Sequence, residues 1–285
     1  MANLKEIRNR IASVSSTMQI TSAMKMVSAA KLKKAQDAIT AMRPYAEKLT
    51  ELLQNLSATL EGEVGGDYTT QREVRNVLAV VITSNRGLAG AFNSNVVKEV
   101  RNLRETYAGK NLEFATIGKK GNDALRKNNT VAFNDNGVFD DLTFDNVAAI
   151  ADRLTALFLE GKYDGIVLVY NQFKNAATQV VKTEQFLPLQ SVAQSNTSGV
   201  DYIFEPSMEE IVMTLIPKML KTQLYKAIRD SFAAEHGARM TAMHKATDNA
   251  TALRNQLKLT YNKARQAAIT GEILEIVGGA EALNG

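Results

Sequence analysis

Residues 19–36 read QITSAMKMVSAAKLKKAQ. This stretch decides the fold, because it favours helix through Ala, Met, Lys and Gln yet offers almost nothing large and apolar to bury. The residues on either side supply what it lacks. Leu4, Ile7, Ile11, Val14 and Met18 recur by threes and fours, and Met42, Tyr45, Leu49, Leu52, Leu56 and Leu60 resume the spacing downstream. Together they predict one helical segment over residues 1–60 with a thin waist, opened by an Asn3–Glu6 capping box and bent or weakened at Pro44. A two-helix rod buries only one stripe per helix, so the waist requires something to enclose it.

The mate for this helix lies at the other end of the chain. A helix is expected over 207–285, introduced by Pro206 and a Ser207–Glu210 capping box. Its seam is read as Ala250, Leu253, Leu257, Thr260, Ala264, Ala267, Gly271 and Leu274, with side chains shrinking toward the C-terminus so that two helices can approach closely. Pro217 bends this helix or ends it. The simplest arrangement pairs the two terminal helices as an antiparallel coiled coil.

Between them the chain changes class. EGEVGGDYTT at 61–70 breaks the first helix, and VLAVVIT at 77–83 is a β-branched run suited to a buried strand. LEFATIG, a helix through NDALRKN, TVAF, an amphipathic FDNVAAIADRLTALFLEG, DGIVLVYNQF and TQVVKTEQFLPL follow in turn. Alternating strand and helix predicts parallel βαβ crossovers over 72–206, with the last two runs forming an antiparallel hairpin at the sheet edge. The fold class is therefore α/β, a central Rossmann-like domain carried on a long coiled coil.

Composition removes several functions. The 285 residues include no cysteine and two histidines, His236 and His244, which excludes thiolate sites and leaves little for imidazole chemistry. The two histidines, eight positions apart, are expected at the surface or in the seam, with no carboxylates to complete a metal shell. No apolar run reaches the roughly 18 residues of a membrane span, and the early charge at Lys5 reads as no secretory signal. Net charge is +4. The excess is concentrated in residues 1–34, where Lys5, Arg8, Arg10, Lys25, Lys31, Lys33 and Lys34 face the single acid Glu6. Such a basic helix suits a solvated face, an acidic protein or nucleic acid.

NRGLAGAFN at 85–93 follows the first strand and precedes a helix, the place where glycine-rich loops present amides to phosphate. It is not GxGxxG, and neither it nor GKKG at 118–121 completes a Walker loop. Glycines that permit close strand-to-helix packing are the simpler account. The acidic pairs Glu209–Glu210 and Asp140–Asp141 fall at a helix start and in a loop, where capping explains them. No catalytic constellation emerges. A ligand-binding enzyme using the 85–93 loop and a basic coiled-coil adaptor for nucleic acid stand as the alternatives to a structural shaft.

Four segments carry a family resemblance: ITSAMKMVSAAKL, TSNRGLAGAFN, ARMTAMHKATDNA and YNKARQAAITGEILEIVGGA. They resemble the gamma subunits of bacterial F-type ATP synthases over essentially the whole chain. The resemblance implies a non-catalytic rotor shaft inside a ring of alpha and beta subunits, with epsilon and the c-subunit ring as further partners and no cofactor, metal or nucleic acid. It implies a peripheral place on the cytoplasmic face of the bacterial inner membrane, with membrane contact only through the complex. It also implies that Met24 sits at the rotor–stator contact, that Arg239, Gln266, Thr270 and Glu272 meet the beta subunits, and that Tyr202, Phe204 and Glu205 of DYIFEP meet the c ring. Lys25 and Gly271 depart from the residues common in relatives.

Overall fold

A computed structural model describes residues 4–59, 66–70, 72–189 and 208–284. Asn3, Ser207 and the DYIFEP residues Tyr202, Phe204 and Glu205 lie outside the described residues. Helix α1 runs Leu4–Thr59 and helix α5 runs Met208–Asn284, with Pro44 and Pro217 inside uninterrupted helical segments. Between them come β1 (Asn76–Ile82), α2 (Phe92–Thr106), β2 (Asn111–Ile117), α3 (Lys119–Leu125), β3 (Val131–Asp135), α4 (Phe144–Leu159), β4 (Gly165–Phe173) and β5 (Gln179–Leu187). The chain separates into two compact units, one made of Met1–Ser28 with Met240–Gly285 and the other of Ala29–Arg239.

The larger unit is built on a five-stranded sheet in the order β3-β2-β1-β4-β5. The first three pairings are parallel, with Val80 of β1 opposite Ala115 of β2 and Leu168 of β4. β4 and β5 pair antiparallel, Val169 opposite Thr183, which is the predicted edge hairpin. Because side chains alternate across a strand, β1 feeds two cores at once. Leu78, Val80 and Ile82 point to a face covered by Val147, Ile150, Leu154 and Phe158 of α4 and by Ile216, Leu220, Leu224 and Ile228 of α5. Val77, Ala79 and Val81 point to the opposite face, against Val96, Val100 and Leu103 of α2 and Leu125 of α3. Helices on both faces of a mostly parallel sheet satisfy its nonpolar surface, which explains why β1 is an unbroken apolar run from Val77 to Ile82.

Three close approaches fix the central loops. Gly118, at φ 105° and ψ 142°, lies against the Thr83 carbonyl, where an added Cβ would come within 2.1 Å. Gly121 donates its amide to Thr83 Oγ1 at 2.8 Å. Gly237 brings α5 onto the β4–β5 turn, with Ala176 3.3 Å from the position of a Cβ. The glycines near 118–121 thus serve packing.

The smaller unit is an antiparallel helix pair. Successive contacts advance along α1 while retreating along α5: Arg8 Nη2 donates to Tyr261 Oη at 2.8 Å, Met18 Sδ accepts from Thr251 Oγ1 at 3.3 Å, Thr21 and Thr247 share a hydroxyl bond at 2.8 Å, and Lys25 Nζ lies 3.2 Å from His244 Nδ1. The covered line on α1 is Leu4, Ile7, Ile11, Val14, Met18, Thr21, Lys25 and Ser28. The heptad does not lapse at the waist; its seam positions there hold small and polar side chains.

The α5 seam differs from expectation in half its positions. Ala250, Leu257, Ala264 and Gly271 are covered as read, but Leu253, Thr260, Ala267 and Leu274 are exposed. The alternating places belong instead to Arg254, Tyr261 and Ala268, one residue further on. Arg254 points a guanidinium nitrogen to within 3.6 Å of Met18 Sδ, and the Tyr261 ring lies under the Arg8 guanidinium, 5.7 Å from carbon to ring centroid. Long amphipathic side chains fill a seam that a hydrophobicity pattern assigns to the neighbouring leucine. In the larger unit, α1 continues its line through Leu32, Ala35, Ile39, Met42, Ala46 and Leu49, while Tyr45 is exposed.

Candidate functional site

The polar groups of the helix pair are largely spent on their own helices. Ser15, Ser16, Thr17 and Ser28 donate to the carbonyls of Ile11, Ala12, Ser13 and Met24, four residues back. Thr247 and Thr260 do the same on α5, toward Met243 and Gln256, while the single Thr251 proton lies between the Thr247 carbonyl at 2.9 Å and Met18 Sδ at 3.3 Å. A hydroxyl occupied in this way makes a surface polar without leaving a donor that must find a fixed outside partner. Beside these groups stand exposed apolar side chains, Ile20, Met26 and Val27 on α1 and Ile269, Ile273, Leu274, Ile276 and Val277 on α5. Met24 is half-buried between them.

Gln266, Thr270 and Glu272 are all exposed. The helical period puts Gln266 and Thr270 one turn apart on one face, while Glu272 faces elsewhere. Lys25 Nζ approaches His244 Nδ1 at 3.2 Å, and the same ring nitrogen lies 3.5 Å from Asp248 Oδ2. A Cβ at Gly271 would meet nothing within 4 Å.

Arg239 is placed differently. It is 7% exposed and belongs to the larger unit. Its Nη1 donates to Glu235 Oε1, one turn back, and its Nη2 donates to the carbonyls of Arg86 and Gly87 at 3.1 and 3.2 Å. The guanidinium is thus committed to the 84–93 loop. That loop is further held by Ser84 N, which donates to Asn93 Oδ1 at 3.0 Å, and by Asn85, whose Oδ1 accepts from Lys119 N at 3.0 Å and whose Nδ2 donates to the Asn136 carbonyl at 2.8 Å. Ala89 and Phe92 pack with Ala234 and Ala238 of α5.

Burial governs the electrostatics here. Removal from water raises the Glu235 carboxyl above its usual range, opposed by the neighbouring Arg239, Lys31 and Arg86 charges. His236 is buried, contrary to the expected surface or seam placement, with its ring edge-on to Phe232 at 4.5 Å and neither ring nitrogen hydrogen-bonded. Burial first, then Arg239 and Lys31, lower its pKa to about 4. It is a neutral packing group at pH 7. Among the described residues no cluster of histidine and carboxylate side chains could hold a metal ion. The i, i+4 spacing of Glu235 and Arg239 is visible in the sequence, but spacing alone does not distinguish a solvated pair from this buried one.

A family model described as ATP synthase matches residues 3–283. An ATP synthase gamma chain of Flavobacterium johnsoniae is 78% identical over 286 residues and covers the full length of both chains. Among solved structures, a chain from the central stalk and c ring of Tetrahymena thermophila mitochondrial ATP synthase is 27% identical at a TM-score of 0.60, covering 80% of this chain and 99% of its own. A chain of the Euglena gracilis mitochondrial ATP synthase shares the fold at a TM-score of 0.72 and 20% identity, covering 98% and 94%. Long terminal helices around a mixed, mostly parallel sheet, with these likenesses, define a stalk subunit of a rotary ATP synthase complex. The chain belongs to the ATP synthase gamma-chain family, the central stalk of that complex. None of its described helices is long and apolar enough to cross a membrane.

Proposed function

We propose that the chain works as the torque-transmitting shaft of the complex, turned by an ion-driven c ring and setting which catalytic beta subunit opens at each angle. Catalysis lies in the ring of alpha and beta subunits, and the shaft contributes no reacting group. The observation that carries this reading is the helix pair's surface, where the self-satisfied hydroxyls of Ser16 and Thr17 stand on the same helix as exposed Ile20, Met26 and Val27. A surface that turns past several chemically similar partners must be enclosed yet bind none of them deeply, and exposed pairs worth about 0–1 kcal/mol each meet that need.

In this reading Met24 lies at the closest rotor–stator approach, and Gln266, Thr270 and Glu272 face the beta subunits. The resemblance groups Arg239 with them, but its bonds to Glu235 and to the Arg86 and Gly87 carbonyls favour a role inside the chain. Tyr202, Phe204 and Glu205 are assigned to the c ring on the DYIFEP resemblance, with epsilon beside the α/β domain, and the assembly stands on the cytoplasmic face of the bacterial inner membrane. Co-purification from gently solubilised membranes tests the assignment. Recovery with alpha, beta, epsilon and c subunits in fixed proportion is expected. Recovery free of ring subunits, or binding to nucleic acid with a steep salt dependence, would count against it.

A further inference from the structure

The loop at 84–93 carries an anomaly that packing alone does not explain. Leu88 adopts φ 62°, the left-handed region that a branched side chain disfavours, and its side chain is 66% exposed. An exposed leucine gains nothing from that conformation, so the loop around it must enforce it. The residues that do so are on both sides. Gly90 also takes a positive φ of 58°, and Ala89 and Phe92 are anchored on Ala234 and Ala238. Immediately before Leu88, the carbonyls of Arg86 and Gly87 both accept from one guanidinium nitrogen of Arg239.

That guanidinium is itself oriented. Glu235 accepts from its other terminal nitrogen, and both side chains are about nine-tenths covered. A planar fork held at one tine presents the other in a fixed direction, which a flexible ammonium would not do. The arrangement removes two charges from water, a cost that a purely structural contact between loop and helix could avoid with apolar side chains. Its return is geometric: two successive carbonyls are fixed against α5, so that the turn through Leu88 is fixed too.

We propose that Glu235 and Arg239 form a latch that pins the 84–93 loop to α5 and holds Leu88 in its exposed left-handed conformation, making Arg239 a positioning residue that acts through this loop. The latch goes beyond the shaft reading and rests on it only for the coupling measurement. It moves Arg239 from the outer contact surface to the interior support of a loop.

Hydrogen exchange on the full chain tests the latch directly, at the Ser84 amide bonded to Asn93 and the Phe92 amide bonded to the Ala89 carbonyl. Arg239→Gln should speed exchange at both by about tenfold or more while leaving the β1 amides within about twofold. Arg239→Lys, which keeps the charge and loses the fork, should fall between, and Glu235→Gln should show the same pattern more weakly. In the assembled complex, ions pumped per ATP hydrolysed should fall in the same order. Unchanged loop exchange in a folded Arg239→Gln chain, or a uniform rise across the whole unit, would overturn the latch. If Arg239→Gln does not fold, loop exchange within twofold of the parent in both Arg239→Lys and Glu235→Gln overturns it equally. Faster loop exchange with an unchanged pumping ratio would overturn the positioning role. Failure to assemble with ring subunits would instead be a failure of the shaft reading, separately visible in the co-purification.

Discussion

Replacing Gly118 by alanine tests how the sheet sets the 84–93 loop. The new Cβ would stand 2.1 Å from the Thr83 carbonyl oxygen and 2.8 Å from its carbonyl carbon, distances that backbone atoms cannot accept. Relief requires a shift of about 1 Å between the C-terminal ends of β1 and β2, where Thr83 N donates to the Ile117 carbonyl at 2.8 Å, and strains the bond from Gly118 N to the Asp135 carbonyl of β3, also 2.8 Å. Overpacking of this kind costs about 1–3 kcal/mol, and alanine at φ 105°, ψ 142° adds about 1–3 kcal/mol of backbone strain. The expected loss is about 2–6 kcal/mol, or a fall in unfolding midpoint on the order of 10 °C. Gly109→Ala supplies the control, since Gly109 has φ 80° with nothing within 4 Å and should cost only about 1–2 kcal/mol. Far-ultraviolet dichroism would be dominated by α1 and α5, so the readout is the near-ultraviolet tyrosine signal of Tyr163 and Tyr170, both buried in the sheet unit. A Gly118→Ala chain as stable as Gly109→Ala, or more so, would refute the close approach.

His236 binds protons less readily when folded, with a pKa of about 4 against about 6.5 unfolded. The unfolded chain therefore takes up the proton first, and stability contributed by the neutral ring is complete above pH 6.5 and lost as pH falls toward 4. His236→Phe should flatten that part of the stability–pH profile, by at most about 3 kcal/mol in the difference from the parent. Parallel profiles across this window would exclude the effect, and taking the difference cancels the opposing contribution of Glu235, whose raised pKa favours the folded state in acid. Met24→Lys places a cation on the half-buried edge of the helix pair, where a partner carboxylate could deepen one angular well by roughly 1 kcal/mol. ATP hydrolysis should persist while pumping per ATP falls, and an unchanged ratio in an assembled complex would remove Met24 from the rotor–stator contact.

The alternation of strand-like and helical runs, with the resemblance segments, made the α/β class, the edge hairpin and the pairing of terminal helices legible in the residues alone. VLAVVIT reads as a buried strand because every residue before its final threonine is apolar, and the structure covers β1 on both faces. The glycines at 118 and 121 announced close packing by lacking a side chain. Other features depend on distances that periodicity does not encode. Leu253 and Arg254 are neighbours in sequence, and only the facing helix decides that the arginine stem, reaching toward Met18, takes the seam while the leucine is left outside. His236 and His244 look alike in the chain, yet one is buried against Phe232 and the other is exposed near Lys25. Arg239 shows the division most clearly. Sequence determined its type and its helical spacing from Glu235, whereas its role rests on the carbonyls of Arg86 and Gly87, some 150 residues away. Local pattern specifies which groups a helix face offers; tertiary structure decides which of them meet a partner and which meet water, because burial and hydrogen-bond geometry are properties of chain segments brought together from afar.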